Sequence, residues 1–156
     1  ACNELVKSEI NRDIKLNIVG IPITKQDKEY KKILEELISK LSLTEIIKFV
    51  GSKKHKEIFH EYCDSDVLIH TSQTGSLDKV VLEAMATGLT VYTSSEAYEM
   101  AGNLVKRFPK NDFKSLAKSL EKMLRFAIIR RNQKMAEFVK DNFSLGVVID
   151  KIVRYF

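Results

Sequence analysis

Between residues 71 and 86 the chain reads Thr71-Ser72-Gln73-Thr74-Gly75-Ser76-Leu77-Asp78-Lys79-Val80-Val81-Leu82-Glu83-Ala84-Met85-Ala86. Thr74, Gly75 and Ser76 carry so little side chain that a ligand can come close to the backbone. Ser76 is a good N-cap and predicts a helix over 76–87, whose amides at Leu77, Asp78 and Lys79 are then free donors at its positive end. A diphosphate is the guest that such an end suits. Lys79 falls in the first turn, where the dipole disfavours a cation unless an anion sits nearby. Glu83, four residues on, shares its face. For a phosphate to enter, the Asp78 carboxylate has to turn aside or meet a hydroxyl. A plainer reading stands beside this one: Lys79 and Glu83 as a solvated pair and Ser76 as an ordinary cap. Neither a P-loop nor a GxGxxG run is present.

Such a loop works only if a scaffold aims it, and the flanking sequence predicts one. Apolar runs rich in β-branched residues at 14–20, 46–51, 66–70 and 89–93 read as buried strands, with a fifth over 103–108. A helix over 27–42 places Tyr30, Ile33, Leu34, Leu37, Ile38 and Leu41 on one face, which must lie on something. Residues 1–9 read as the end of a helix, and Ile58, Phe59 and Tyr62 mark a short one. Gly88 accommodates the left-handed residue that ends the 76–87 helix. Past Pro109 the pattern is helical. Asn111 or Asp112 caps a stripe of Phe113, Leu116, Ala117, Leu120, Met123 and Leu124. A second helix runs over 127–141. A third, capped by Ser144, carries Leu145, Val148, Ile149, Ile152, Val153 and Phe156. Strands alternating with helices form βαβ units, so the expected architecture is α/β and Rossmann-like, a parallel sheet between helical layers. Ligands in such folds bind beyond the carboxyl ends of the strands, here after Val19, Val50, His70 and Thr93.

The 156 residues match one domain, 1–156, with a helical C-terminal part over 109–156. At 44% hydrophobic and 30% charged the chain is neither disordered nor collagenous. No apolar run reaches the ~18 residues of a membrane span, and no signal peptide opens the sequence. Cys2 and Cys63 are too few for a disulfide scaffold, so a reducing, cytoplasmic setting is expected, with Cys63 a small core residue. The net charge of +5 suits an anionic partner but falls short of a nucleic-acid arm. Lys53, Lys54 and Lys56 form one basic patch and Arg125, Arg130, Arg131 and Lys134 another. Both read as solvated faces, and the first would also favour an anionic donor or peripheral contact at the inner face of an acidic membrane. His55, His60 and His70 lack metal-ligand spacing, so no metal site is expected. His70, at a strand end beside the loop, reads as a buried hydrogen-bonded histidine, with ligand contact as the other reading. Without a nucleophile–base pair or paired carboxylates no hydrolase site can be assembled.

Taken in order, segments 16–20, 47–51, 66–72, 82–91 and 111–117 resemble the C-terminal, donor-binding domain of GT-B glycosyltransferases, in the retaining family called family four or group 1. The resemblance covers nearly the whole chain, and its most specific block is SLDKVVLEAMATGLTVYTS, beginning at Ser76. It implies a hexosyltransferase donor domain that moves a hexose from a nucleoside-diphosphate sugar to a glycan or lipid acceptor. Retention of configuration and no obligatory metal or other cofactor are implied with it. Glu83 matches the second of the family's two motif glutamates, which binds the ribose hydroxyls. Gly51-Ser52-Lys53 would lie near the base, with Gly20-Ile21-Pro22 beside it. The donor would thus be lined by Thr74, Gly75, Ser76, Leu77, Lys79, Val80 and Glu83, together with Gly20, Gly51 and Ser52, and Lys79 and Glu83 would carry the catalytic roles.

Two departures shape that expectation. Gly75 stands where the family has its first glutamate, which opens the alternative of a non-catalytic sugar-nucleotide-binding or scaffold module. A third reading is an unrelated Rossmann-like module using the basic patches. The family's domain also opens with a strand and loop bearing an Arg and a Lys, whereas this sequence starts within what resembles the following helix. In the usual 3-2-1-4-5-6 order that strand is central, so the sheet is expected to lack its first, middle strand. With the acceptor domain also absent from these residues, the chain alone is expected to be an inactive fragment that binds donor weakly.

Overall fold

A computed structural model describes residues 1–8, 13–72, 75–126 and 131–154. Helix α1 (Cys2–Lys7) is followed by β1 (Leu16–Val19), α2 (Lys25–Lys40), β2 (Ile47–Gly51), α3 (His55–Asp64), β3 (Val67–His70) and α4 (Lys79–Ala86). Then come β4 (Thr90–Thr93), a 3-10 stretch (Glu96–Leu104), β5 (Lys106–Arg107), α5 (Phe113–Phe126), α6 (Gln133–Phe143) and α7 (Leu145–Val153). All strand pairs are parallel, as strands joined by crossover helices must be. They form two ladders, β1–β2 and β3–β4–β5. In the expected strand order the break between β1 and β3 falls where the central strand would lie.

The larger ladder holds the main core. Val81, Ala84, Met85 and Val91 are fully buried, and Tyr62, Leu89, Tyr98 and Met135 close around them. The stretch Ala84 to Leu89 shows how sequence dictates this turn. Gly88 adopts φ +73, a conformation that favours glycine, and a Cβ there would come within 3.1 Å of the Asn132 backbone. The Asn132 amide donates to the Gly88 carbonyl at 2.9 Å, tying α6 to the end of α4. A second cluster, of Leu5, Tyr92, Phe108, Leu116 and Leu120, joins α1 and α5 to the other face of β4.

Helix α2 begins at a capping box, in which Thr24 Oγ1 accepts from the Asp27 amide and Asp27 Oδ2 from the Thr24 amide. The expected burial of its stripe is corrected here. Leu34 and Ile38 are half-buried, but Tyr30, Ile33 and Leu37 are 61%, 59% and 48% exposed, and no residue of α2 is buried. Lys31 of α2 reaches the Phe49 ring of β2, 5.1 Å from its centroid, and a two-stranded ladder is too narrow to cover the full width of the stripe.

Other boundaries follow the residues closely. Asp112 Oδ1 accepts from the Ser115 amide and so caps α5. The fifth strand is shorter than expected because the 3-10 stretch runs to Leu104. Residues 127–130 of the expected second C-terminal helix lie outside the described residues. The expected burial of the α7 stripe is corrected as well: Leu145, Val148, Ile149 and Val153 are all exposed, while the Ile152 side chain and Phe156 lie outside the described residues.

Candidate functional site

The carboxyl ends of β3 and β4 meet the N-terminus of α4 around His70, the last residue of β3. Its Nε2 lies 2.8 Å from Asp78 Oδ2 and its Nδ1 2.9 Å from Thr93 Oγ1. Thr93 is fully buried, and its oxygen also accepts from the Ser95 amide at 3.1 Å. The hydroxyl can therefore donate its hydrogen bond to Nδ1, which leaves Nε2–H to donate to the carboxylate. The reading of His70 as a hydrogen-bonded, largely buried histidine holds: its side chain is 10% exposed.

Asp78 gathers several donors. Ser76 Oγ donates to Oδ1 at 3.0 Å, and Ser72 adds a further side-chain hydrogen bond. Together the His70, Ser76 and Ser72 bonds hold its carboxyl below the usual carboxylate range, His70 contributing most. The Tyr98 hydroxyl donates to the Asp78 carbonyl at 2.8 Å. Burial, more than any other cause, pushes that phenol up to about 12.

This arrangement corrects the helix start. Asp78, not Ser76, is the N-cap, so the Leu77 and Asp78 amides do not belong to the first turn. The cause is tertiary: His70 and Tyr98 pin residue 78 before the helix can begin, and the Ser76 hydroxyl is committed to the same carboxylate. Asp78 makes no side-chain capping bond. Its carbonyl takes the Val81 amide at 3.1 Å, while the amides of Lys79 and Val80 have no backbone partner among the described residues. The carboxylate has thus turned aside, the condition under which an anion can approach.

Farther along α4, Glu83 Oε2 accepts from the Tyr62 hydroxyl of α3 at 3.0 Å. Lys79 and Glu83 therefore do not form the solvated i,i+4 pair of the plainer reading; Lys79 is exposed and Glu83 half-buried. Burial and the neighbouring Glu83 raise the Tyr62 phenol far above its ordinary value. Gly75, Ser76, Leu77, Lys79 and Val80 are exposed around the tip of α4. Thr74 lies outside the described residues. Sequence reasoning finds neither Tyr62 nor Tyr98 as a polar partner: Tyr62 reads only as part of an apolar helix face, and nothing in the sequence singles out Tyr98.

On the other ladder the Gly20 amide donates to the Gly51 carbonyl at 2.8 Å, joining the loops that follow β1 and β2. Both glycines have positive φ, and Ser52 beside them is exposed. Helix α3 links this end to α4. Its Glu61 meets Lys53 Nζ at 3.0 Å through Oε1 and Asn17 Nδ2 at 3.4 Å through Oε2, one residue before Tyr62. Sequence-predicted residues from both ladders thus fall at the carboxyl ends of their strands.

The opposite end of the larger ladder holds a cleft of about 240 Å³ lined by Asp66, Gly88, Thr90 and Arg131 among others. There the Arg131 guanidinium donates to the carbonyls of Tyr62, Cys63 and Ser65, satisfying the C-terminus of α3. Cys63 is exposed beside it, not the core residue expected, because α3 turns Tyr62 inward instead. Among the described residues no three His, Cys, Asp or Glu side chains converge as a metal site, and no helix is long and apolar enough to cross a membrane.

Comparison with known proteins gives the fold a family. The family described as glycosyl transferases group 1 matches residues 1–141. Among solved structures, Anabaena HepE in complex with UDP and glucose superposes with a TM-score of 0.79 at 19% identity, covering 99% of this chain and 43% of its own. A glycosyltransferase from Rickettsia africae gives 0.77 at 21% identity, covering 98% and 42%. Sucrose-phosphate synthase from Thermosynechococcus elongatus gives 0.72 at 16% identity, covering 98% and 41%. The chain thus spans less than half the length of the structures it matches. No curated protein matches significantly by sequence.

Proposed function

Because the chain belongs to the glycosyl transferases of group 1, we propose that it forms the donor-binding part of a hexosyltransferase, taking a nucleoside-diphosphate sugar at the carboxyl ends of its strands. The observation that carries this reading is the uncapped tip of α4 with Glu83 one turn behind it. The diphosphate sits against the amides of Lys79 and Val80, with the Lys79 ammonium beside it. Glu83 keeps Oε1 for the ribose hydroxyls while Tyr62 holds Oε2. Gly20, Gly51 and Ser52 leave room for the base. The presence of UDP in the HepE structure supports a uridine donor.

In the reaction the bond between the hexose anomeric carbon and the diphosphate oxygen breaks, and its electron pair stays on the diphosphate. The acceptor hydroxyl oxygen forms the new bond to the anomeric carbon, and its proton passes to the departing diphosphate oxygen. The amides and Lys79 neutralise charge on the departing diphosphate, so they contribute most in the transition state. Retention of configuration and a glycan or lipid acceptor are part of the proposal, with the acceptor held by a region outside these 156 residues. The exposed Gly75 offers no side-chain charge near the sugar, which favours the second reading of a sugar-nucleotide-binding module without transfer.

Calorimetric titration with UDP, UDP-glucose and GDP tests the site. Binding of UDP that weakens about tenfold or more in Glu83→Ala, as expected for a lost charge-assisted pair of hydrogen bonds, supports it. Absence of nucleotide binding, or binding indifferent to Glu83, overturns it. Transfer or hydrolysis of UDP-glucose by the whole protein separates the enzyme from the binding module.

A further inference from the structure

The residue at an N-cap normally spends its side chain on its own helix, and aspartate does so readily. Asp78 occupies that place in α4 and makes no such bond. Both of its oxygens are engaged elsewhere, Oδ2 with His70 Nε2 at 2.8 Å and Oδ1 with Ser76 Oγ at 3.0 Å. His70 is itself fixed from behind by the buried Thr93 and lies edge-on to the Tyr98 ring, with centroids 6.1 Å apart. It comes from a different element, the end of β3, so its hold on Asp78 does not depend on the helix.

We propose that His70 is a positioning residue that draws the Asp78 carboxylate off the N-terminus of α4, so that the helix cannot cap itself and its first amides stay open to an anion. The inference rests on the donor-site reading above and adds to it the device that keeps the site open. Without the imidazole, the carboxylate would rotate onto the amide of Val80. That one movement removes a donor from the anion and puts a negative charge where the diphosphate belongs. A purely structural histidine has a different signature, because its loss would not be repaired by removing a second side chain.

The test uses the full chain, with UDP as probe and 15N–1H amide spectra as a second readout. His70→Ala is expected to weaken UDP binding about tenfold, the scale of a charge at a helix end combined with a lost amide. In the same variant the resonances of Lys79, Val80 and Val81 shift as the cap forms. Adding Asp78→Ala to His70→Ala brings UDP affinity back to within about threefold of wild type and reverses the shift. His70→Gln, whose amide can still donate to Asp78, keeps both properties near wild type and serves if the alanine variant does not fold. The proposal is overturned if His70→Ala binds UDP like wild type, if the double variant binds no better than the single, if His70→Gln loses as much as alanine, or if the amide resonances do not move. If wild type itself binds no UDP, the donor-site reading fails, and the amide shift and its reversal still decide whether His70 prevents self-capping.

Discussion

The two ladders of this protein are built to different standards. The β3–β4–β5 ladder surrounds itself with α4, α6 and the 3-10 stretch, and at the centre of that core Val81, Ala84 and Met85 of α4 and Val91 of β4 have no exposed surface. In the β1–β2 half no residue of α2 is buried, and order rests on short-range devices. These are the Thr24–Asp27 capping box and the bond between Gly20 and Gly51. The difference places the tighter packing beneath the tip of α4, where the proposed function puts the anion. The loops after β1 and β2 are positioned by turns and by the reach of α3.

The sharpest way to break this comparison is to cut equal amounts of apolar side chain from each half. Met85→Ala in the larger core should cost about 2–5 kcal/mol, whereas Ile33→Ala on the exposed face of α2 should cost less than about 0.5 kcal/mol. Urea denaturation of both variants reads the difference, and similar losses would mean that the α2 stripe is covered in solution. A smaller contrast lies in two glycines of nearly equal φ, Gly88 at +73 and Gly51 at +76. Gly51→Ala meets open space and should lose about 1–2 kcal/mol from backbone strain alone. Gly88→Ala adds a collision with the Asn132 backbone and should lose clearly more, as thermal unfolding would register.

The smallest effect is the response to acid. The Thr24 backbone amide and hydroxyl, in that order, hold the Asp27 carboxyl below its ordinary value, and the His70, Ser76 and Ser72 bonds do the same for Asp78. Both groups are therefore more acidic folded than unfolded. Their stabilisation is complete above the unfolded value of about 4 and disappears as pH falls through the lower folded values. Stability measured from pH 6 down to pH 2 should show a shallower acid limb in Asp27→Asn and in Asp78→Asn than in wild type. An unchanged limb in one of them would show that the carboxylate of that ladder is not held as described.

Much of the scaffold was legible because periodicity reports on local geometry. The β-branched runs at 14–20, 46–51, 66–70 and 89–93 each hold a strand of the structure, at 16–19, 47–51, 67–70 and 90–93, Gly88 ends its helix, and of the two cap candidates Asn111 and Asp112 the structure takes Asp112. The site was legible only in outline. Glu83 and Lys79 were placed on the right helix, but the cap was assigned to Ser76 because Ser76 is the better cap when only its neighbours are considered. Nothing near Tyr62 in the chain shows that its hydroxyl meets a glutamate 21 residues later. The α2 stripe predicted a buried face, but a stripe records only what a helix can bury, not what is there to cover it.

The sequence by itself therefore determined the alternation of strands and helices, the parallel direction of the strands and the helix that carries Glu83, since each follows from spacing along one segment of chain. Tertiary structure decided where that helix begins, which way Asp78 points and which hydroxyl holds Glu83. Those outcomes depend on His70, Tyr98 and Tyr62 arriving from other elements. A hydrogen bond formed across elements is chosen by the packing that brings its partners within about 3 Å, and no local pattern of residues encodes that distance.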